Sequence, residues 1–270
     1  IDLAMAAMLL RPHDRDAADD PPARLAAVEE EGGQPAALVV RGSRHQDEVL
    51  RPLMSGKEAA VYVVRCGNDI RCAKVYKDAE QRSFRQAVQY REGRKVRNSR
   101  RARAMEKGSR FGRRQQESAW HNAEVDALYR LTEAGVRVPQ PYGCFDGVLL
   151  MELITDEEGN VAPRLDDIEM SREQAIEDHQ VVMHYIGRML CAGVVHGDLS
   201  ESNVLVDAYG PVIIDLPQAV DAAANNHARA MLTRDVNNMT AYYARFAPEL
   251  LDTRYAGEIW ALYEGGELHP

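Results

Sequence analysis

His196-Gly197-Asp198-Leu199-Ser200-Glu201-Ser202-Asn203-Val204-Leu205-Val206, followed by Ile213-Ile214-Asp215, decides how this chain of 270 residues reads. Val204–Val206 and Val212–Ile214 are short apolar runs that bracket Asp207 to Pro211, so they predict a hairpin. Phosphoryl transfer needs one carboxylate beside the acceptor oxygen, and an amide oxygen with a second carboxylate to hold magnesium against the phosphates. Asp198, Asn203 five residues later and Asp215 behind the strand pair fit those roles. An isolated Asp or Asn usually serves a turn. Three such residues in this order and context argue for the chemistry instead. His196 reads as a brace of the loop through hydrogen bonds, not as a general base.

Upstream, Val61–Val64 and Cys72–Tyr76 flank the turn-prone Cys66-Gly67-Asn68-Asp69 and predict antiparallel strands. Lys74 lies inside the second strand, where an ammonium is costly unless something negative meets it. Phosphates and a helix carboxylate would supply that compensation. Glu124 is the candidate carboxylate. It sits on a predicted helix marked by Trp120, Ala123, Ala127, Leu128 and Leu131 and closed by Gly135. The segment from Met54 to Tyr62 reads as strand, turn and strand placed to cover nucleotide phosphates, with Ser55, Gly56, Lys57, Glu58, Ala59 and Val61 as candidate contacts. It carries neither G-x-G-x-x-G nor G-x-x-x-x-G-K-[ST].

Downstream of the helix, Pro141–Phe145 and Val148–Met151 flank Asp146-Gly147, a two-residue hairpin signal. Ser171-x-x-Gln174 has the form of a capping box ahead of a long helix ending near Gly193. Two more helical stretches follow, near His227–Phe246 and Tyr255–Tyr263. Residues 1–46, rich in Ala, Asp, Glu, Pro and Gly, read as a flexible extension with a short helical option around Ala23–Glu31.

A hydrophobic content of 45% suits a globular core, and the net charge of -9 argues against wholesale nucleic-acid binding. That charge is polarised: Arg82 to Arg114 holds thirteen Arg or Lys against Glu92 and Glu106. Such a block is a solvated flexible segment, a docking surface for RNA or a ribosomal particle, or a surface for an acidic protein substrate. Four cysteines without C-x-x-C or histidine partners suggest neither disulfides nor zinc, and a reducing cytoplasm is the simplest compartment. The apolar run Leu3–Leu10 is far below the roughly 20 residues of a membrane helix. No export signal or membrane span is expected.

The loop around Gly56-Lys57-Glu58-Ala59 is similar to the S-T-G-K-E-A segment of the RIO family of atypical kinases. His196–Val206 resembles that family's H-G-D-L-S-x-x-N-x-L stretch, and Ile214-Asp215-Leu216-Pro217-Gln218 its I-D-x-x-Q. The resemblance runs from about Val49 to Glu249, and the basic stretch after Lys74-Val75-Tyr76-Lys77 is closest to the subgroup typified by the first RIO protein. Met54 stands where the family usually has Ser, and Ala60 where it often has Asn.

The resemblance implies an α+β, two-lobed protein-kinase-like fold. A small antiparallel-sheet N-lobe would span 47–153 with a basic insertion at 82–114, and a reduced, mostly helical C-lobe 154–270. It also implies ATP and Mg2+ in the cleft, Glu152 and Ile154 offering backbone groups to the adenine, Met151 lining its pocket, Asp198 as catalytic base, and Asn203 and Asp215 as metal ligands. In the family the residue matching Asp215 also accepts the phosphoryl group transiently. The expected activity is that of a RIO-type serine/threonine protein kinase or ATPase, in a family that acts in ribosome maturation. Two other readings stay open: a small-molecule kinase of the aminoglycoside or choline phosphotransferase kind, and a nucleotide-gated assembly factor with little turnover.

Overall fold

The computed structural model describes residues 24–26, 39–41, 48–56, 59–76, 123–145 and 147–270, the first two segments as backbone. Strands β1 (Arg24–Ala26) and β2 (Val39–Arg41) pair antiparallel, with Leu25 opposite Val40. The helical option around Ala23–Glu31 is thus not taken at 24–26. The β-branched Val39-Val40 pair offers a ladder partner, and bonds between the two segments replace helical ones. The remainder of the predicted extension and the basic segment 82–114 lie outside the described residues.

Strands β3 (Glu48–Ser55), β4 (Ala59–Cys66) and β5 (Asp69–Tyr76) form an antiparallel meander. Helix α1 over 123–133 follows, then β6 (Pro141–Phe145) and β7 (Val148–Glu152) complete a sheet ordered β3-β4-β5-β7-β6. The β6–β7 hairpin turns where the sequence predicts, with Gly147 at φ +81°, a conformation that a Cβ disfavours. Asp146 beside it lies outside the described residues.

Side chains alternate across a strand, so register decides which residues share a face. Lys74 stands opposite Val61 on one side and Leu149 on the other, and Cys72 stands opposite Met151. These residues, with Ala59 and Tyr76, form one face of the sheet. The other face packs Val64, Ala73, Val148 and Leu150 into a small cluster.

Helix α1 lays Ala127, Leu128 and Leu131 into the main core with Leu149. It ends as the sequence predicts: Gly135, at φ +71°, donates to Thr132 O, and Val136 N–H donates to Leu131 O at 3.0 Å. A Cβ on Gly135 would meet Arg188 Nη1 at 2.4 Å, a flexible side-chain end that could move aside, so it is the positive φ that favours glycine there.

From Ile154 onward helices outweigh strands. This part of the chain contains α2 (Arg172–Cys191), the short β8 (Val194–Val195), β9 (Val204–Asp207), β10 (Gly210–Ile213), β11 (Val220–Asp221), α3 (Ala228–Tyr243) and α4 (Tyr255–Glu264). Ser171 caps α2, its Oγ accepting from Gln174 N–H at 3.1 Å. The Gln174 side chain turns forward to Asp178 instead of closing the box. Val182, Ile186, Met189 and Leu190 of α2 meet Leu199, Ile213, Leu216, Met239 and Tyr243 in the main core. Burying an aliphatic side chain of this size contributes about 1.5–3 kcal/mol. Leu199, Val204 and Ile213 are fully buried and alternate with the polar residues of the deciding stretch, so that stretch is anchored in the core. The architecture is α+β, an antiparallel sheet joined to a helical half with a cleft between them. Among the described residues no helix is long and apolar enough to cross a membrane.

Candidate active site

The sheet face that carries Lys74 looks into a cleft of about 530 Å³. Lys74 Nζ donates to Glu124 Oε1 at 2.6 Å and to Asp215 Oδ1 at 2.7 Å. The expected pair with the helix carboxylate is present, and Glu124 is buried with it. Tyr76 OH donates to the second Glu124 oxygen. Burial alone lowers the Lys74 pKa, but Glu124 and then Asp215 outweigh it and hold the ammonium above its ordinary range. Burial and the Glu124 carboxylate raise the Tyr76 phenol. Tyr76 was missed in the sequence, although the two-residue period of β5 puts it on the face of Lys74.

Opposite this roof, the stretch from His196 to Asn203 is tied down on both sides. His196 Nε2–H donates to Ile214 O at 3.0 Å, and Asp198 N–H donates to His196 Nδ1 at 3.3 Å. His196 therefore braces the loop, as its sequence context suggests. Asn203 Nδ2 donates to Asp198 O at 2.8 Å. From below, Asp235 of α3 accepts from Gly197 N–H at 2.8 Å and Leu199 N–H at 3.0 Å, while Asn238 donates to Leu199 O. Burial raises the Asp235 pKa, partly offset by His196 and these N–H groups. Nothing in the sequence marks Asp235, because its role depends on a contact spanning 36 residues or more. With its backbone fixed, Asp198 leaves its carboxylate exposed to the cleft.

Asp215 is the one non-glycine at positive φ among the described residues, at +65°. Asp tolerates this region better than most side chains, and the strain is held by the paired surroundings. Burial would raise its pKa, but Lys74, then His196 and Arg164, bring it below the usual carboxylate value.

Lys74, Asp198, Asn203 and Asp215 all line the cleft, as do Gly56, Ala59, Val61, Glu124, Met151, Glu152 and Ile154. Ser55 does not. It pairs with Ala60, so its side chain belongs to the opposite face of the sheet, and Met54, opposite Val61, lines the cleft in its place. Lys57 and Glu58 lie outside the described residues. The Glu152 carboxylate is gripped by the Arg137 fork at 2.8 and 2.9 Å, and the same Arg137 reaches Asp207 at 2.9 Å. Burial pushes the Cys72 thiol up to about 12, partly offset by Lys74, so the cleft holds a neutral thiol there.

The donor set fits a nucleotide with a hard cation. Asn203 commits its NH2 group to Asp198 O, which leaves its amide oxygen for a ligand. Gln218 Oε1 is buried in the cleft lining with no partner among the described residues. No group of three or more His, Cys, Asp or Glu among the described residues could hold a metal by itself, so a cation held by Asn203 and Asp215 would be completed by phosphate oxygens and water.

Residues 60–256 match the family model of the RIO domain. The chain belongs to the RIO family. This RIO chain is 35% identical over 207 residues to the RIO-type serine/threonine-protein kinase Rio1 of Haloferax volcanii, covering 74% of this chain and 65% of that protein. It is 32% identical over 136 residues to the human serine/threonine-protein kinase RIO1, covering 50% of this chain and 24% of that protein. The RIO chain thus spans less than two thirds of the length of either relative. Among solved structures, the Rio2 kinase–ADP/Mg2+–phosphoaspartate complex from Chaetomium thermophilum shares the fold, with a TM-score of 0.51 at 18% identity, covering 81% of this chain and 71% of that one.

Proposed function

We propose that this chain is an ATP- and Mg2+-dependent phosphotransferase, a RIO-type serine/threonine protein kinase with autophosphorylation, ATPase turnover or both. The observation that carries the reading is the meeting of Lys74, Asp198, Asn203 and Asp215 at one cleft, with Lys74 shared between Glu124 and Asp215. Met151, Glu152 and Ile154 would receive the adenine, supported by the Ile154 N–H, which has no hydrogen-bond partner among the described residues. Lys74 would hold the phosphates, and Asp198, exposed on a fixed backbone, would take the proton of an acceptor hydroxyl. A magnesium ion held by Asn203 and Asp215 would offset phosphate charge.

The Rio2 kinase of Chaetomium thermophilum was solved as a phosphoaspartate complex. In this chain the corresponding route is attack by an Asp215 carboxylate oxygen on the terminal phosphorus. The bond from that phosphorus to the bridging oxygen breaks, ADP leaves, and water later hydrolyses the acyl phosphate.

The test is a magnesium-dependent reaction with ATP labelled in its terminal phosphate, on wild type, Asp198→Ala and Asp215→Ala. Acid-stable label on protein, lowered about 10²–10⁴-fold by Asp198→Ala, supports the kinase. Label destroyed by hydroxylamine and lost in Asp215→Ala supports the aspartyl-phosphate cycle. ATP bound without label or turnover would refute both and favour the assembly-factor reading, and ATP consumed only with a metabolite would favour the small-molecule kinase.

A further inference from the structure

Among the described residues the cleft is lined by two cations, Lys74 and Arg164, against five carboxylates. Lys74 is divided between Glu124 and Asp215. Arg164 meets no carboxylate among the described residues. Its Nη1 donates to Ser202 O, and its Nη2 lies 3.3 Å from Met54 Sδ. A thioether is a weak acceptor, whereas a guanidinium and a phosphate form charge-assisted, often bidentate bonds. The present partners of Arg164 are therefore ones that a phosphate would displace.

Position supports the same conclusion. The Arg164 backbone is fixed to the hairpin of the deciding stretch: Val206 N–H donates to Pro163 O at 3.0 Å, and Arg164 bridges Leu205. From there the side chain crosses to the roof at Met54. Its fork thus lies between Ser202, the neighbour of Asn203, and the strand end that leads into Gly56. Its charge reaches Asp215. On the ATP-site reading, Gly56, Asn203 and Asp215 would mark the phosphate end of the cleft, and Glu152 and Ile154 the other end.

We propose that Arg164 is a nucleotide-binding residue whose guanidinium exchanges Met54 for the phosphate chain of the bound nucleotide. This rests on the reading of the cleft as an ATP site. The fork would clasp the phosphates from the helical side while Lys74 holds them from the sheet, so the nucleotide itself draws the two walls together.

Calorimetric titration of the full chain with Mg-ATP, Mg-ADP and adenosine tests this on wild type, Arg164→Met and Arg164→Lys. Arg164→Met is expected to weaken ATP and ADP roughly 10- to 30-fold and leave adenosine unchanged. Arg164→Lys, a point charge without the fork, is expected to fall between. Adenosine binding also shows that the variants are folded. ATP affinity unchanged in Arg164→Met would overturn the proposal, as would an equal loss for adenosine, which would give Arg164 a purely structural part. A wild type that binds neither ATP nor adenosine would instead sink the ATP-site reading itself.

Discussion

The roof and the floor of the cleft hold their charged groups by opposite means. In the roof, Lys74, Glu124 and Tyr76 are held side chain to side chain, and Lys74 reaches across to Asp215 in the same way. In the floor, Asp198 and Asn203 are placed by backbone bonds and by helix residues beneath, with Asp235 and Asn238 gripping the loop. A site made of mutual pairs depends on each partner being present. A site made of braced backbone tolerates loss of a reactive group without losing its shape. Stability variants should therefore separate the two regions.

The largest expected effect is in the roof. Lys74→Met leaves the buried Glu124 carboxylate with no cation, which costs about 3–5 kcal/mol of unfolding free energy. Urea denaturation measures it, and Lys74→Met combined with Glu124→Gln should recover most of the loss without restoring phosphoryl transfer. A single variant as stable as wild type would break the comparison.

A second test uses pH and the core behind the floor. Burial lowers the pKa of His179 from 6.5 to about 4 while its Nε2 faces Thr240 Oγ1 at 2.9 Å. A histidine with a folded pKa below its unfolded value stabilises the fold above pH 6.5, and this is lost as pH falls toward 4, on the order of 3 kcal/mol. Asp215, with a lowered pKa, adds stability above its unfolded value near 3.8 and loses it only further into acid. Asp235 and Asp178, both raised, slope the other way, gaining stability as pH falls through their folded values. The difference between wild type and His179→Phe, measured from pH 7 to 4, isolates the histidine. A flat difference would show that His179 is not held neutral.

Third comes the brace. Asp235→Asn keeps the shape but offers an NH2 group to one of two backbone N–H donors, with an expected loss of about 1–3 kcal/mol. Turnover should fall while Mg-ATP affinity stays unchanged, whereas the roof variant, which removes a phosphate contact, should weaken Mg-ATP as well. The smallest effect expected is for Tyr76→Phe, about 1 kcal/mol by thermal unfolding, since Lys74 still pairs Glu124.

Much of this was legible in the sequence because its determinants are local. The β9–β10 and β6–β7 hairpins, the Ser171 cap and the Gly135 stop follow from turn and cap chemistry within a few residues. Asp198, Asn203 and Asp215 stand out because their spacing is tied to one hairpin. Glu124 could be picked because a buried Lys74 demands a carboxylate. The rest required folded adjacency. Tyr76 meets Glu124 across 48 residues and Arg137 meets Asp207 across 70. Arg164 reads as one arginine among many until its neighbours are known. Ser55 stands one step of strand parity away from the cleft face, and Leu25 pairs with a segment that no helical period around it could reveal.

The Arg137 fork joins the last residue of β7 to the last residue of β9, Glu152 to Asp207. One planar guanidinium thus works as a pin through the spine of an open book. It fastens the sheet to the β9–β10 hairpin at the inner edge of the cleft.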